Sequence, residues 1–266
     1  KSGFQNKNMA AMVEAVDQKT AFSSLSDSIR KSIYCVLNQI LKFASRMYNV
    51  DPPALARPSF HTPKKQVEVF SKKEQARLFS VLYQEMDRYK LAILLCMHTG
   101  LRLGELCALK WEDFDVENHL LTVNRTAQRL YVNGHSAKTM LMETAPKSEH
   151  SRREIPLPSA IVKLLFQFKG EKPYIFGGNK ALEPRTLQNH FKKILQKAGS
   201  ANKNFHVLRH TFSTNCIEGG MDVKSLSELL GHSDVQITLN RYVHPSMDTK
   251  RSYMDGLSAF YGQIHG

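Results

Sequence analysis

His206-Val207-Leu208-Arg209-His210, then Leu229-Leu230-Gly231-His232-Ser233, then Asn240-Arg241-Tyr242-Val243-His244: the reading of this chain turns on these three segments. On a helix, positions 206, 209 and 210 share one face, so the first segment presents two imidazoles and a guanidinium together. Histidines four apart can bind zinc, but the glutamate of an HExxH site is missing, and no cysteine or carboxylate nearby completes a ligand set. His210 by itself reads as a hydrogen-bonded structural histidine. In the second segment, Asp222 is placed to cap a helix that ends at Gly231, a residue free to take the left-handed conformation that closes a helix. Ser233 and Gln236 have the spacing of a capping box for the next helix. His232 is thereby held at a sharp corner between two helices. Tyr242 follows ten residues after His232, near the end of the second helix. Taken alone, it would be a packing residue.

Upstream lies Thr99-Gly100-Leu101-Arg102-Leu103-Gly104-Glu105-Leu106. An arginine between two glycines, with a glutamate three residues on, falls at a loop–helix junction where Glu105 can hold its orientation. Arginine suits a phosphate because its planar fork donates two hydrogen bonds to two oxygens and keeps its charge. In isolation this would be an ordinary structural Arg–Glu pair at a turn.

The charge balance points the same way. The 266 residues include 37 Lys plus Arg against 24 Asp plus Glu, a net charge of +13, and the pI is near 9.6. Residues 1–63 carry +4 and residues 64–266 carry +9, so the excess is spread along the chain. That distribution suits a protein that wraps around nucleic acid better than one with a basic arm. Hydrophobic residues make up 42% and charged residues 23%, ordinary for a globular protein and wrong for a disordered one. Cys35, Cys96, Cys107 and Cys216 stand far apart in apolar surroundings without CxxC spacing, and read as reduced core residues of a cytoplasmic protein. No apolar run approaches the ~18 residues of a membrane span, and no signal peptide is visible. The chain begins Lys1-Ser2-Gly3 without an initiator methionine, which reads as a piece of a longer protein.

The organisation along the chain is helix-rich. Ile29, Ile33, Leu37, Ile40, Leu41 and Ala44 form an apolar stripe over about 29–48, with Ser26, Asp27 and Ser28 available to cap it. A shorter helix is expected in Met9–Val16. Four prolines fall in residues 51–63, which marks a linker at about 50–68. The expected division is a helical domain over 1–63 and a second domain over 69–266. In the latter, Ser71-Lys72-Lys73-Glu74 has capping-box spacing, and helical patterns cover about 77–83 and 89–97. From Leu120 the period shifts to two (Leu121, Val123, then Leu130, Val132), with Asn133-Gly134 as a tight-turn signal and Arg153–Leu157 as another strand. Helices are expected again at about 159–168, 185–198, 207–218, 223–230 and 234–242. The fold class is α+β, predominantly α-helical, with one small antiparallel sheet.

TGLRLGEL, HVLRH and LLGHSDVQITLNRY, in that order, resemble the active-site signature of the tyrosine recombinases, above all the integrases of bacteriophages and conjugative transposons. Several motifs in a shared order are far more specific than any one of them. The resemblance covers nearly the whole chain and implies a helical core-binding domain, a linker and a catalytic domain. It implies catalytic roles for Arg102, His206, Arg209 and His232, with Tyr242 as nucleophile and Glu105 behind Arg102. The family also uses a lysine on a β-hairpin turn between the two arginine motifs. Lys147, in the stretch PKSEHSRREIPL, matches that position, and Lys138 is the other lysine of the region.

In the chemistry so implied, Tyr242 attacks a phosphodiester, displaces a 5′-hydroxyl and leaves a 3′-phosphotyrosyl bond. Phenol titrates near pH ~10 and needs a neighbour to take its proton; His232 or His206 is expected to help accept it or to hydrogen-bond the phosphate. Arg102 and Arg209 stabilise the charge that builds on phosphorus, and Lys147 protonates the leaving oxygen. Neither metal nor nucleotide cofactor is called for. The implied partners are double-stranded DNA at element ends and target, further protomers in a synaptic tetramer, and an accessory directionality factor; no membrane is involved. Met254, Leu257, Tyr261 and Ile264 form an apolar stripe on the C-terminal tail, which folds back on its own domain or docks on a neighbouring protomer. Tyr253 and Tyr261 on that tail are decoys for the nucleophile. The rival readings are a type IB topoisomerase, a non-catalytic DNA-binding relative and a metal-dependent nuclease.

Overall fold

The computed structural model of the chain describes residues 25–49, 67–132, 139–145, 151–242, 251, 254–258 and 261. The chain divides into two compact units, Lys1–Gln66 and Val67–Gly266. In the first unit, α1 spans Asp27–Tyr48 and ends at Asn49 in the left-handed conformation (φ 48°). Ser26 is the residue before its first turn, but its side chain makes no capping hydrogen bond. Tyr34 and Leu41 are its buried residues. Ile29 and Ile40, assigned to the buried stripe by periodicity, are exposed, and so is Cys35, which is therefore not a core residue. Ile33, Leu37, Leu41 and Ala44 do lie on the less exposed face, which Tyr34 joins. The helix expected at Met9–Val16 and the proline-rich stretch lie outside the described residues.

The second unit is built around a helix that is apolar on every side. Between α2 (Lys72–Tyr83) and the helices that follow, α3 (Arg88–Thr99) buries an unbroken run from Lys90 to Met97. A helix hydrophobic all round belongs at the centre of a domain, and Leu91, Ile93, Leu94 and Leu95 are fully inaccessible. The capping box read at Ser71 and Glu74 is formed. Asp87 caps α3 by accepting from the amides of Tyr89 and Lys90. A five-residue helix, α4 (Leu103–Cys107), follows directly; it is too short for periodicity to show.

The single minor sheet expected from the sequence is divided in two. Strands β1 (Phe114–Asp115), β2 (Leu120–Val123) and β5 (Arg153–Pro156) form one antiparallel sheet in the order β1-β2-β5. Strands β3 (Thr126–Tyr131) and β4 (Thr139–Thr144) pair with each other. β4 gave no clean alternation because only intermediate and exposed positions alternate along it. Gly104 lets α4 press against β3: a Cβ there would lie 2.4 Å from Thr126 Oγ1 and 2.8 Å from the Ala127 carbonyl oxygen. The remaining helices are α5 (Ser159–Gln167), α6 (Pro184–Lys197), α7 (His206–Glu218), α8 (Val223–Leu230) and α9 (Val235–Tyr242). Residues 254–258 are helical as well, with Met254 and Leu257 exposed, as is Tyr261 beyond them. No helix among the described residues is long and apolar enough to cross a membrane.

One backbone position governs how α3 meets α7 and α8. Gly100 closes α3 with φ 63° and donates its amide to the Cys96 carbonyl. A Cβ at this residue would sit 2.5 Å from Phe212 Cδ1 and 3.0 Å from Leu230 Cδ2. Gly100→Ala is therefore expected to lower the unfolding free energy of this unit by about 3 kcal/mol, from left-handed strain and overpacking together. Urea unfolding followed by the fluorescence of Trp111, the single tryptophan, measures it; a loss under about 0.5 kcal/mol would show that the loop relaxes without cost.

Candidate active site

The last carbonyls of α8 have no partners within their own helix. Three in a row accept from three different arginines. Arg153 Nε donates to the Leu229 oxygen at 2.6 Å, Arg209 Nη2 to the Leu230 oxygen at 2.7 Å, and Arg102 Nη2 to the Gly231 oxygen at 3.1 Å. Gly231 takes the left-handed conformation (φ 63°, ψ 48°) and turns the chain out of the helix, as its place in the sequence suggested. Asp222 caps the other end by accepting from the Ser225 amide. The negative end of a helix dipole favours cations, so this turn gathers guanidiniums by ordinary helix electrostatics.

Arg209 is the innermost of the three, with 1% of its surface exposed. Besides the Leu230 oxygen, it donates to the Gly100 carbonyl at 2.7 Å and meets His232 Nε2 at 3.0 Å. Burial pushes its pKa down to about 9, and the Arg102 charge pushes the same way, while Glu105 and Tyr242 oppose them. It stays charged at neutral pH. Arg102 begins α4 and is partly open to solvent, its side chain 38% exposed. Glu105, three residues on, accepts from both the Arg102 amide (2.9 Å) and its guanidinium (2.7 Å). The same carboxylate takes a bidentate contact from Arg153, at 3.2 and 2.8 Å. Burial alone would raise the Glu105 pKa, but the hydrogen bonds and charge of Arg153, with help from Arg102, bring it down to about 2.

His232 follows Gly231 and is fixed from both sides. Its Nδ1 pairs with the buried Thr238 hydroxyl at 2.8 Å, and its Nε2 faces Arg209. Thr238 lies on α9, which starts at Asp234: that carboxylate accepts from the Gln236 amide at 2.8 Å. Asp234 thus serves as the cap expected of Ser233. At the end of α9, Tyr242 is 8% exposed and packs with Phe212, Leu226 and Leu230. Its hydroxyl meets His210 Nδ1 at 2.6 Å. His206, one turn earlier on α7, is exposed and sits edge-on to His210 with ring centroids 4.4 Å apart. It borders a cleft of about 270 Å³ lined by Leu101, Leu103, Gln188, Asn204 and Phe205.

Arg102, Arg209 and His232 are thus brought together at one turn, with Glu105 behind Arg102 and Tyr242 packed against the same helix end. His206 lies on the adjoining α7, at the edge of the group. Lys147 and Lys138 lie outside the described residues. Arg153 was missed, although the signal was present: it precedes Ile155 by two, so strand alternation turns it inward with that buried residue. The pairing of His210 with Tyr242 was missed as well; it joins residues 32 apart, and no local pattern encodes it. Among the described residues, no three His, Cys, Asp or Glu side chains stand close enough to hold a metal.

Comparison with known proteins bears on the same segments. Residues 68–249 match the model of the phage integrase family. A tyrosine recombinase XerC-like protein of Caldanaerobacter subterraneus is 33% identical over 74% of this chain, and tyrosine recombinase XerA of Pyrococcus furiosus is 32% identical over 66% of it. The chain spans only 55% and 57% of those proteins' own lengths. The solved structure of the Tn1549 transposon integrase with a circular intermediate DNA is similar in fold. It has a TM-score of 0.68 at 21% identity and covers 94% of this chain and 85% of its own.

The Glu105 pair has a consequence for acid stability. Its folded pKa lies near 2, below the ordinary 4.5, so the stabilisation is complete above about pH 4.5 and disappears as pH falls toward 2. Urea unfolding of the natural chain and of Glu105→Gln should differ by about 3 kcal/mol at neutral pH. The gap should close on acidification through that window; a gap independent of pH would mean that shape, not charge, makes the difference.

Proposed function

This chain belongs to the phage integrase family, and we propose from that premise that it carries out site-specific DNA recombination, cutting and rejoining strands through a covalent bond to Tyr242. The observation that carries the reading is the convergence of Arg102, Arg209 and His232 on the turn after α8, with Tyr242 packed against that helix end. Two fixed guanidiniums suit the non-bridging oxygens of a phosphodiester, where negative charge builds as phosphorus becomes five-coordinate. Their backbone and carboxylate partners hold them in place before substrate arrives, so little reorganisation remains at the moment of reaction. Tyr242 attacks phosphorus, the 5′-oxygen leaves with a proton from Lys147, and a 3′-phosphotyrosyl ester conserves the bond energy for rejoining. His206, at the edge of the cleft, hydrogen-bonds the phosphate, while His232 steadies Arg209 beside it.

The substrate of this reading is double-stranded DNA at the ends of a mobile element and at its target, drawn by a net charge of +13. Residues 1–63 supply a helical core-binding domain and residues 69–266 the catalytic domain. Exposed Met254, Leu257 and Tyr261 on the tail are the contacts offered to a neighbouring protomer in a synaptic tetramer, and an accessory directionality factor acts on that assembly.

The test uses a duplex selected from a random-sequence pool by retention on this chain, nicked at successive positions to trap cleavage, with products separated on a denaturing gel in EDTA. A protein–DNA adduct is expected from the natural chain and none from Tyr242→Phe, which should still bind; an adduct of normal yield from that variant rules the assignment out. Arg209→Lys keeps the charge but loses the fork, and should slow adduct formation by about 100-fold or more with binding weakened only slightly. Cleavage at the natural rate would remove Arg209 from the chemistry. Relaxation of supercoiled plasmid without exchange between two sites would favour the type IB topoisomerase reading.

A further inference from the structure

We infer that His210, rather than His232, holds the Tyr242 hydroxyl and takes its proton when Tyr242 attacks; this rests on the assignment of Tyr242 as nucleophile. The geometry separates the histidines by what their nitrogens already hold. His232 spends Nδ1 on the buried Thr238 hydroxyl and Nε2 on Arg209, so both ring nitrogens face other groups. His206 stands edge-on to the His210 ring and borders the cleft. His210 Nδ1 lies 2.6 Å from Tyr242 Oη, within the reach a general base requires. The rings are tilted by 51° with centroids 5.7 Å apart, so they meet edge to edge through their polar atoms and are not stacked.

The proposed role requires one tautomer of His210. The phenol O–H donates to Nδ1 only when that nitrogen carries its lone pair and Nε2 carries the hydrogen. In the step itself, the Tyr242 Oη–phosphorus bond forms as the bond from phosphorus to the 5′-oxygen breaks. The phenolic proton passes to His210 Nδ1, giving an imidazolium, and the leaving oxygen receives its proton from the general acid assigned above to Lys147. Rejoining runs the same transfers backwards: the 5′-hydroxyl attacks, and His210 returns the proton to the departing phenolate. His210 holds the hydroxyl in place before attack and gives the proton a destination within the protein.

The experiment measures single-turnover adduct formation on the selected nicked duplex for the full chain and for His210→Ala, His210→Gln and Tyr242→Phe, with DNA affinity measured in parallel. His210→Ala is expected to bind within about threefold of the natural chain and to form adduct about 100-fold more slowly, with much of the rate restored by added imidazole. His210→Gln can accept the hydrogen bond but not the proton, and is expected to be as slow as the alanine variant. Either variant reacting within about threefold of the natural rate overturns the inference, and the glutamine variant decides the matter should the alanine variant lose DNA binding. Adduct from Tyr242→Phe overturns the reading of the site itself. Adduct that requires Tyr242 but is indifferent to His210 overturns only the role given to this histidine.

Discussion

Three successive peptide carbonyls at the end of α8 organise the second unit. Any helix end leaves such oxygens without internal partners, and most are satisfied by water or by a cap. Here each receives an arginine from a different element: β5, α7 and the start of α4. One turn thereby fixes the relative positions of three segments far apart in sequence. The left-handed Gly231 makes the arrangement possible, because it turns the chain away just where the carbonyls must remain open to the arginines. His232 inherits its position as the next residue along.

Gathering three cations at one point needs a counterweight, and Glu105 provides it. Its carboxylate is shared between Arg102 and Arg153, and the bidentate contact with the buried Arg153 leaves the more open Arg102 oriented toward solvent. Among the described residues no carboxylate pairs with Arg209, which is held by the Gly100 and Leu230 carbonyl dipoles. A buried charge held mainly by dipoles is costly to remove from water. That cost is set against packing in the same region, where α3 is buried from Lys90 to Met97. The arginine side of the site is held firmly because it is continuous with the core.

Much of this was legible before any coordinates. Arg102, Glu105, Asp222 and Gly231 announce themselves because their roles are local: a left-handed residue, a cap, a carboxylate three residues from the group it holds. The limits of α7, α8 and α9 followed from period and caps to within a residue or so. What could not be read has a shared cause. The His210–Tyr242 contact, the three arginines on three carbonyls and the Arg153–Glu105 pair are long-range, and nothing in a linear pattern specifies them. β4 escaped because it has no fully buried face. Cys35 and Ile40 were misassigned because a helix with apolar residues on more than one side leaves the buried face ambiguous to periodicity alone.

The brevity of α9 has its own consequence. Eight residues are far too few to hold a helix in water unaided. Val235, Ile237 and Leu239 are turned outward, while Thr238 and Tyr242 face in. The segment is thus pinned by two inward side chains and the hydrogen bonds they make to His232 and His210. By contrast, Arg209 is anchored to the end of α3, whose residues from Lys90 to Met97 are buried in the core. Native-state hydrogen exchange would accordingly rank the two halves of the site at opposite ends of the stability scale. The tyrosine rides on the element that detaches at least cost, and the arginines that would receive a phosphate sit on the part that lets go last.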